Sequence, residues 1–283
     1  MHHNKFYIAG KWVEPQSEDR WPLVNPATEQ VVAHIPMASE ADVNAAVAAA
    51  KAAFPSYSQT TVSQRIQWFK RLLDIYRANA DAITDAMIME IGSPRSFTHE
   101  VQTPCGDGHI EVMIEVLESF QFEHPSPRGG STIVHEPVGV CALITPWNWP
   151  INQVVAKVLP SLASGCTCVL KPSEESALSA ILFAQMLDEA GFPAGAFNLI
   201  NGNGEIAGNS MSAHPDIELV SFTGSTRAGK LVQANGVETV KRVVLELGGK
   251  SANILFADAD IDAAVAFSAD ACFSNAGQTC DAP

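Results

Sequence analysis

Three residues have types and settings suited to covalent chemistry on a carbonyl. Cys280 lies behind a Gly277-Gln278-Thr279 turn, outside any periodic segment. Core packing explains such a thiol poorly, so it reads as a nucleophile or as an ordinary loop cysteine, and a nucleophile would need a lowered pKa. Glu246 closes an apolar run beside Gly248 and Gly249. It is either a solvated or paired carboxylate, or a general base raised toward neutral pH by burial. Asn148 sits between Trp147 and Trp149 and before Pro150. It is either a turn-forming residue or an amide donor to a developing oxyanion.

The elements that must position these groups form one pattern. Phe6 to Val32 is broken by Gly10, Pro15, Pro22 and Pro26 and reads as short strands and turns. Ser39 caps a helix, with Asp42 completing a capping box and Val43, Ala46, Val47, Ala50 and Phe54 at helical spacing. A second helix is expected from Thr61 through Ile83, and a third over about 97–120, kinked or delayed by Pro104 and Gly106. The run from 123 to 131 reads as a turn or linker. Beyond it the text changes. Val138 to Ile144 is a continuous apolar run, the mark of a strand buried on both faces. Further strands over 166–170, 197–200, 219–222 and 242–247 alternate with helices. That alternation predicts an α/β fold with a doubly wound, parallel, Rossmann-like sheet behind N-terminal helices. Such sheets bind ligands at the carboxyl ends of their strands.

Polar and glycine-rich switches fall at those ends. They are Thr145-Pro146-Trp147-Asn148, Lys171-Pro172-Ser173-Glu174, Gly202 to Gly208, Thr223-Gly224-Ser225-Thr226 and Gly248-Gly249-Lys250. Each alone is an ordinary turn or a solvated charge, and five on one sheet edge suggest a nucleotide site. Gly224-Ser225 opens a helix, so free N–H groups and the positive dipole end face a phosphate. Gly204 and Gly208 let backbone approach a ligand closely. Lys171 and Glu174 fit ribose hydroxyls as donor and acceptor, and a carboxylate there favours NAD over NADP.

Composition narrows the classes. The 283 residues are 47% apolar and 17% charged, which excludes a disordered chain. Net charge is −14, which disfavours nucleic acid and anionic membranes. No apolar run approaches the roughly 18 residues of a membrane span, and no apolar signal core follows Met1. The six cysteines include no Cys-x-x-Cys pair, which argues against a metal site. Cys166 and Cys168 would share one strand face as buried thiols. Free thiols suit a reducing compartment, hence a cytoplasmic location.

Pro-Trp-Asn-Trp-Pro, Lys-Pro-Ser-Glu, Phe-Thr-Gly-Ser, Leu-Glu-Leu-Gly-Gly-Lys and Gly-Gln-Thr-Cys, in this order and spacing, resemble the aldehyde dehydrogenase superfamily from about residue 6 to the last residue. The resemblance implies oxidation of a small aldehyde to a carboxylic acid with NAD, NADP being the weaker candidate. By it, Cys280 is the nucleophile that forms a thiohemiacetal and then a thioester. Asn148, with the backbone N–H of Cys280, is the oxyanion hole, and hydride passes to the nicotinamide. Glu246 activates the hydrolytic water and Lys157 steadies Asn148. The implied cofactor contacts are Thr145, Pro146, Trp147, Lys171, Glu174, Gly204, Gly208, Phe222, Thr223, Gly224, Ser225, Gly229, Leu247 and Gly248. Trp149, Asn152, Gln153, Thr279 and Asp281 fall where the family's substrate pocket lies, and an inward Asp281 would disfavour anionic aldehydes and raise the Cys280 pKa.

The implied organisation is a cofactor-binding domain over 1–121 and 139–247, an oligomerisation hairpin over 122–138, and from 248 to 283 the beginning of a second, α/β catalytic domain. Ser251 onward should begin a second sheet. Family members continue well beyond the position three residues after Cys280 where this chain stops. The 283-residue chain is therefore expected to be the N-terminal part of a homo-oligomeric enzyme. Two alternatives stand beside that reading. One is an inactive NAD-binding fragment. The other is an acylating relative that passes the thioester to coenzyme A or phosphate, against which Glu246 argues.

Overall fold

The computed structural model describes residues 2–280 and Ala282. Four strands open the chain: β1 (Phe6–Ile8), β2 (Lys11–Val13), β3 (Arg20–Asn25) and β4 (Gln30–Pro36). Helix α1 (Glu40–Tyr57) follows, with the Ser39–Asp42 capping box formed in both directions. Next come α2 (Val62–Ala78) and α3 (Ala80–Ile91), then the single turn α4 (Arg95–Phe97), a π-type turn over 98–102 and α5 (Thr103–Ser119). The expected single helix from Thr61 to Ile83 is thus two. The apolar spacing continues across Asn79, but its φ of −112° takes it out of helical geometry. Pro104 sits in the first turn of α5, where a missing N–H costs nothing.

Residues 123–134 do more than turn. Strands β5 (Glu123–Pro125) and β6 (Thr132–Val134) pair antiparallel, joined through Ser126 N–H donating to the Ser131 carbonyl. Both arms are largely exposed. The prolines and glycines between them shape the tip, which is why the stretch read as a linker.

The remaining elements are β7 (Val140–Ile144), α6 (Pro150–Ala163), β8 (Thr167–Lys171), α7 (Ala177–Glu189), β9 (Phe197–Leu199), α8 (Asn209–Ala213), β10 (Leu219–Gly224), α9 (Thr226–Asn235), β11 (Arg242–Leu247) and α10 (Ile261–Phe273). They build one seven-stranded sheet in the order β11-β10-β7-β8-β9-β1-β2. Strands β7 to β11 are mutually parallel, and the β1–β2 hairpin adds antiparallel beside β9. The winding runs outward from β7 to β9, then returns to the other side of β7 with β10 and β11. The carboxyl ends of β7 and β10 are therefore the topological switch point.

Every residue of β7 is buried, and alternate side chains serve two cores. Cys141 and Leu143 pack with α2, α3, α5, α6 and α7, whereas Val140, Ala142 and Ile144 pack with α1, α8 and α9. Residues 248–260 contain no strand, so the second sheet expected from Ser251 is absent among the described residues. A strand needs a hydrogen-bonding neighbour, and the described residues offer none there. No residue of α10 is buried, and Phe256, Phe267 and Phe273 are each about three-quarters exposed. No helix among the described residues is long and apolar enough to cross a membrane.

Candidate active site

The switch point opens into a cleft of about 340 Å³. Its walls include Pro146, Trp147 and Asn148 after β7, Thr223, Gly224 and Ser225 after β10, Glu246 to Gly249 at the end of β11, and Gly277 to Cys280. The three groups singled out for carbonyl chemistry thus face one space, although 132 residues separate Asn148 from Cys280 along the chain (280 − 148). A larger depression of about 580 Å³, lined by Asp81, Arg95, His99 and Glu100, lies away from them on the N-terminal helices.

The loop bearing Cys280 is anchored on its inner side. Asn148 Nδ2 donates to the Gln278 carbonyl at 3.1 Å, and Trp149 Nε1 donates to Thr279 Oγ1 at 3.3 Å. Asn275, which sequence reasoning passed over, is the centre of the knot. It is buried, with φ of 51°, a left-handed conformation that asparagine tolerates better than most residues. Its Nδ2 donates to the carbonyls of Asn148 (2.8 Å) and Gln278 (3.1 Å). Its Oδ1 accepts from Ser93 Oγ and Gln102 Nε2, both at 2.8 Å. The local signal was an Asn in a Ser-Asn-Ala-Gly run, and its partners are remote. Cys280 itself is exposed.

Glu246 is also exposed, so the burial expected around it is missing. Strand β11 pairs only with β10, and nothing among the described residues covers its outer edge. Lys157 does not bond Asn148 in this structure; its Nζ donates to Ser221 Oγ at 2.9 Å. Burial pushes its ammonium down to about 8, opposed by the nearby Glu246 carboxylate.

On the nucleotide side, Ser225 caps α9, its hydroxyl accepting the Ala228 N–H at 3.2 Å. That helix start is exposed and faces the cleft. A Cβ on Gly224 would stand 2.6 Å from the Phe222 ring, and one on Gly229 would stand 2.6 Å from Leu247 Cδ2. Glycine at these positions lets α9 lie close on β10 and β11. Gly229 thus packs α9 against Leu247, which also lines the cleft. A Cβ on Gly204 would meet nothing within 4 Å, so ligand can approach the backbone there. Lys171 is a buried lysine rather than a solvated strand-end charge. Its Nζ donates to the carbonyls of Pro172 (2.9 Å) and Gly202 (2.7 Å) and lies 3.7 Å from Glu174 Oε2. Burial lowers its pKa, and Glu174 opposes the shift. Thr145 N–H donates to the Lys171 carbonyl, and its buried hydroxyl has no protein partner among the described residues. Gly208 lies in a π-type turn over 204–208. Asn152 Oδ1 accepts from His109 Nε2 at 2.9 Å, and Gln153 lines the cleft. Asp281 lies outside the described residues. No group of three or more His, Cys, Asp or Glu side chains able to hold a metal occurs among the described residues.

The fold is an α/β architecture with a doubly wound sheet, and a helix N-terminus, a thiol, a carboxylate and an amide gather at its switch point. Residues 12–283 match the sequence profile of the aldehyde dehydrogenase family, and the chain belongs to that family. It is 46% identical over 282 residues to 3-succinoylsemialdehyde-pyridine dehydrogenase of a Pseudomonas species, covering 99% of this chain and 59% of that protein. Among solved structures, it is 48% identical to an alanine mutant of aldehyde dehydrogenase C from Pseudomonas syringae, complexed with NAD+ and octanal. The TM-score is 0.97, covering 100% of this chain and 58% of that one. The NAD+ complex of a Bacillus cereus aldehyde dehydrogenase is 34% identical with a TM-score of 0.94, covering 99% of this chain and 58% of the other. The chain thus spans a little under three-fifths of the length of these relatives.

Proposed function

We propose that the chain carries the NAD site and the reacting groups of an aldehyde dehydrogenase that oxidises a small aldehyde to a carboxylic acid. The convergence of Cys280, Asn148, Glu246 and the start of α9 on one cleft carries this reading. The residues present fit NAD: an exposed helix N-terminus for the pyrophosphate, open space over Gly204, and a Lys171–Glu174 pair for a ribose with a free 2′-hydroxyl. NAD, when bound, supplies the hydride acceptor.

The chain's own groups do the rest. The Cys280 thiolate attacks the aldehyde carbon and the sulfur–carbon bond forms. The resulting oxyanion is met by Asn148, whose Nδ2 carries two protons. One is engaged by the Gln278 carbonyl, and the other is left for the oxyanion together with the Cys280 N–H. Glu246 then takes a proton from water, which attacks the thioester and releases the acid. Lys157 places positive charge near Glu246. Further copies of the chain would dock on the exposed β5–β6 hairpin.

The test adds NAD and a panel of aldehydes and follows NADH absorbance. Turnover that disappears in Cys280→Ala while NAD binding persists is expected. Turnover that survives the substitution, or that requires coenzyme A or phosphate, contradicts the reading. A second reading, an NAD-binding chain without turnover, is favoured by the exposure of both Cys280 and Glu246. Quenching of Trp147 fluorescence by NAD with no NADH formed would select it.

A further inference from the structure

The Cys280 loop has a second side that the chemistry above does not use. A nucleotide lying along Trp147, Gly224 and Ser225 fills one side of the loop, so an aldehyde must reach the thiol from the other. That other side is walled by the start of α6. Trp149, Asn152 and Gln153 are spaced i, i+3 and i+4 and share one helix face. Two of the three are at the cleft: Trp149 Nε1 donates to Thr279 Oγ1, next to Cys280, and Gln153 lines the space. Phe97 of α4 backs Trp149 edge to face, with ring centroids 5.4 Å apart. One turn beyond Trp149, Asn152 Oδ1 accepts from Nε2 of His109 on α5 at 2.9 Å.

Helix packing does not call for that pair. Ile110 and Ile114 of α5 and Ile151 and Val155 of α6 are already buried in one core. His109 and Asn152 are each only half-buried. Their bond takes up the amide oxygen and leaves Asn152 Nδ2, with both its protons, without a protein partner among the described residues. A free amide donor beside an aromatic wall suits an acceptor oxygen on an otherwise apolar chain. A plain alkyl chain would strip water from the amide and return no hydrogen bond. One helical turn is about 5.4 Å, and extended chain covers roughly 3.5 Å in three bonds. The acceptor should therefore stand about four or five bonds from the aldehyde carbon.

Resting on the reading that an aldehyde binds at Cys280, we propose that the His109–Asn152 pair selects substrates with a second carbonyl oxygen, in a keto or carboxylate group about four or five bonds from the aldehyde carbon. Asn152 Nδ2 donates to that oxygen. His109 is a positioning residue: by holding Oδ1 it keeps the amide from turning its acceptor toward the substrate. Trp149 and Phe97 wall the methylene groups in between.

The experiment compares kcat/KM with NAD for pentanal, levulinaldehyde and succinic semialdehyde. The last two carry a keto and a carboxylate oxygen, respectively, within the required reach. One or both should exceed pentanal by roughly tenfold, and which of them does names the group. In Asn152→Leu and His109→Phe that ratio should fall to near one, whereas His109→Gln, which can still donate to Oδ1, should keep most of it. A general loss of folding or chemistry lowers all three aldehydes together and leaves the ratio alone. Equal kcat/KM for all three, or a ratio that survives Asn152→Leu, overturns the proposal. Binding of the same aldehydes to Cys280→Ala with NAD, followed by ligand-observed NMR, separates it from the reading it rests on. No turnover of any aldehyde, with an oxygenated one still bound more tightly than pentanal, would remove the catalytic reading alone. Equal binding of all three, or binding of none, would remove this one.

Discussion

At the scale of single residues, the loop that carries Cys280 is held by an asparagine five positions upstream, with φ of 51°. The Asn275 side chain makes four hydrogen bonds, and two of its partners, Ser93 and Gln102, are 182 and 173 residues away. Cys280, Glu246 and Asn148 could be singled out because strand ends and turn residues mark them. Asn275 was not, because its role exists only once the α3–α4 region meets the Cys280 loop. Each neutral bond contributes about 1 kcal/mol, and a misplacement of roughly 1 Å at a reacting centre costs about 100-fold in rate. Asn275→Ala is therefore expected to lower kcat by roughly 100-fold while leaving the NAD dissociation constant unchanged, since the proposed cofactor contacts sit on β7, β8, β10 and α9. Steady-state kinetics alongside an NAD titration check this. Equal loss of both would show that Asn275 supports the whole domain instead.

At the scale of elements, α3 is tied to the start of α7 by one buried carboxylate. Glu90 Oε2 accepts the N–H groups of Leu178 (2.7 Å) and Ser179 (3.3 Å), and its Oε1 meets the Ser179 hydroxyl. Burial pushes its carboxyl up from the ordinary 4.5 to about 7 against those bonds. The folded chain thus holds a proton that the unfolded chain releases above 4.5. Stability from this group is fully present below 4.5 and lost as pH rises through about 7. The contribution is on the order of 3 kcal/mol. Glu90→Gln keeps the protonated hydrogen-bonding pattern at every pH. It should flatten the decline in melting temperature between pH 4.5 and about pH 7. Parallel declines in both chains would place the titration elsewhere. Helix boundaries show the same division of legibility. The Ser39–Asp42 capping box is local and was readable. The break at Asn79 was not, because its neighbours keep helical spacing.

At the scale of the whole molecule, ligand should stabilise a fold whose site is spread over several strand ends. A ligand at about 100 times its dissociation constant adds about 2.7 kcal/mol. For a chain of this size NAD is thus expected to raise the melting temperature by roughly 5–10 °C, with a smaller rise for NADP because Glu174 opposes a 2′-phosphate. Thermal denaturation with either nucleotide tests this, and equal shifts would remove Glu174 as the discriminating group.

The sequence by itself determined the parallel α/β sheet, the strand ends and the kinds of groups placed there, because periodicity, glycines and caps are local signals. Only the tertiary structure decided that β10 returns beside β7, making their carboxyl ends one cleft. It alone turned Lys171 inward onto two carbonyls and left Glu246 on an open edge. Burial and the partners of a polar group depend on residues far apart in the chain, and a local pattern does not carry them.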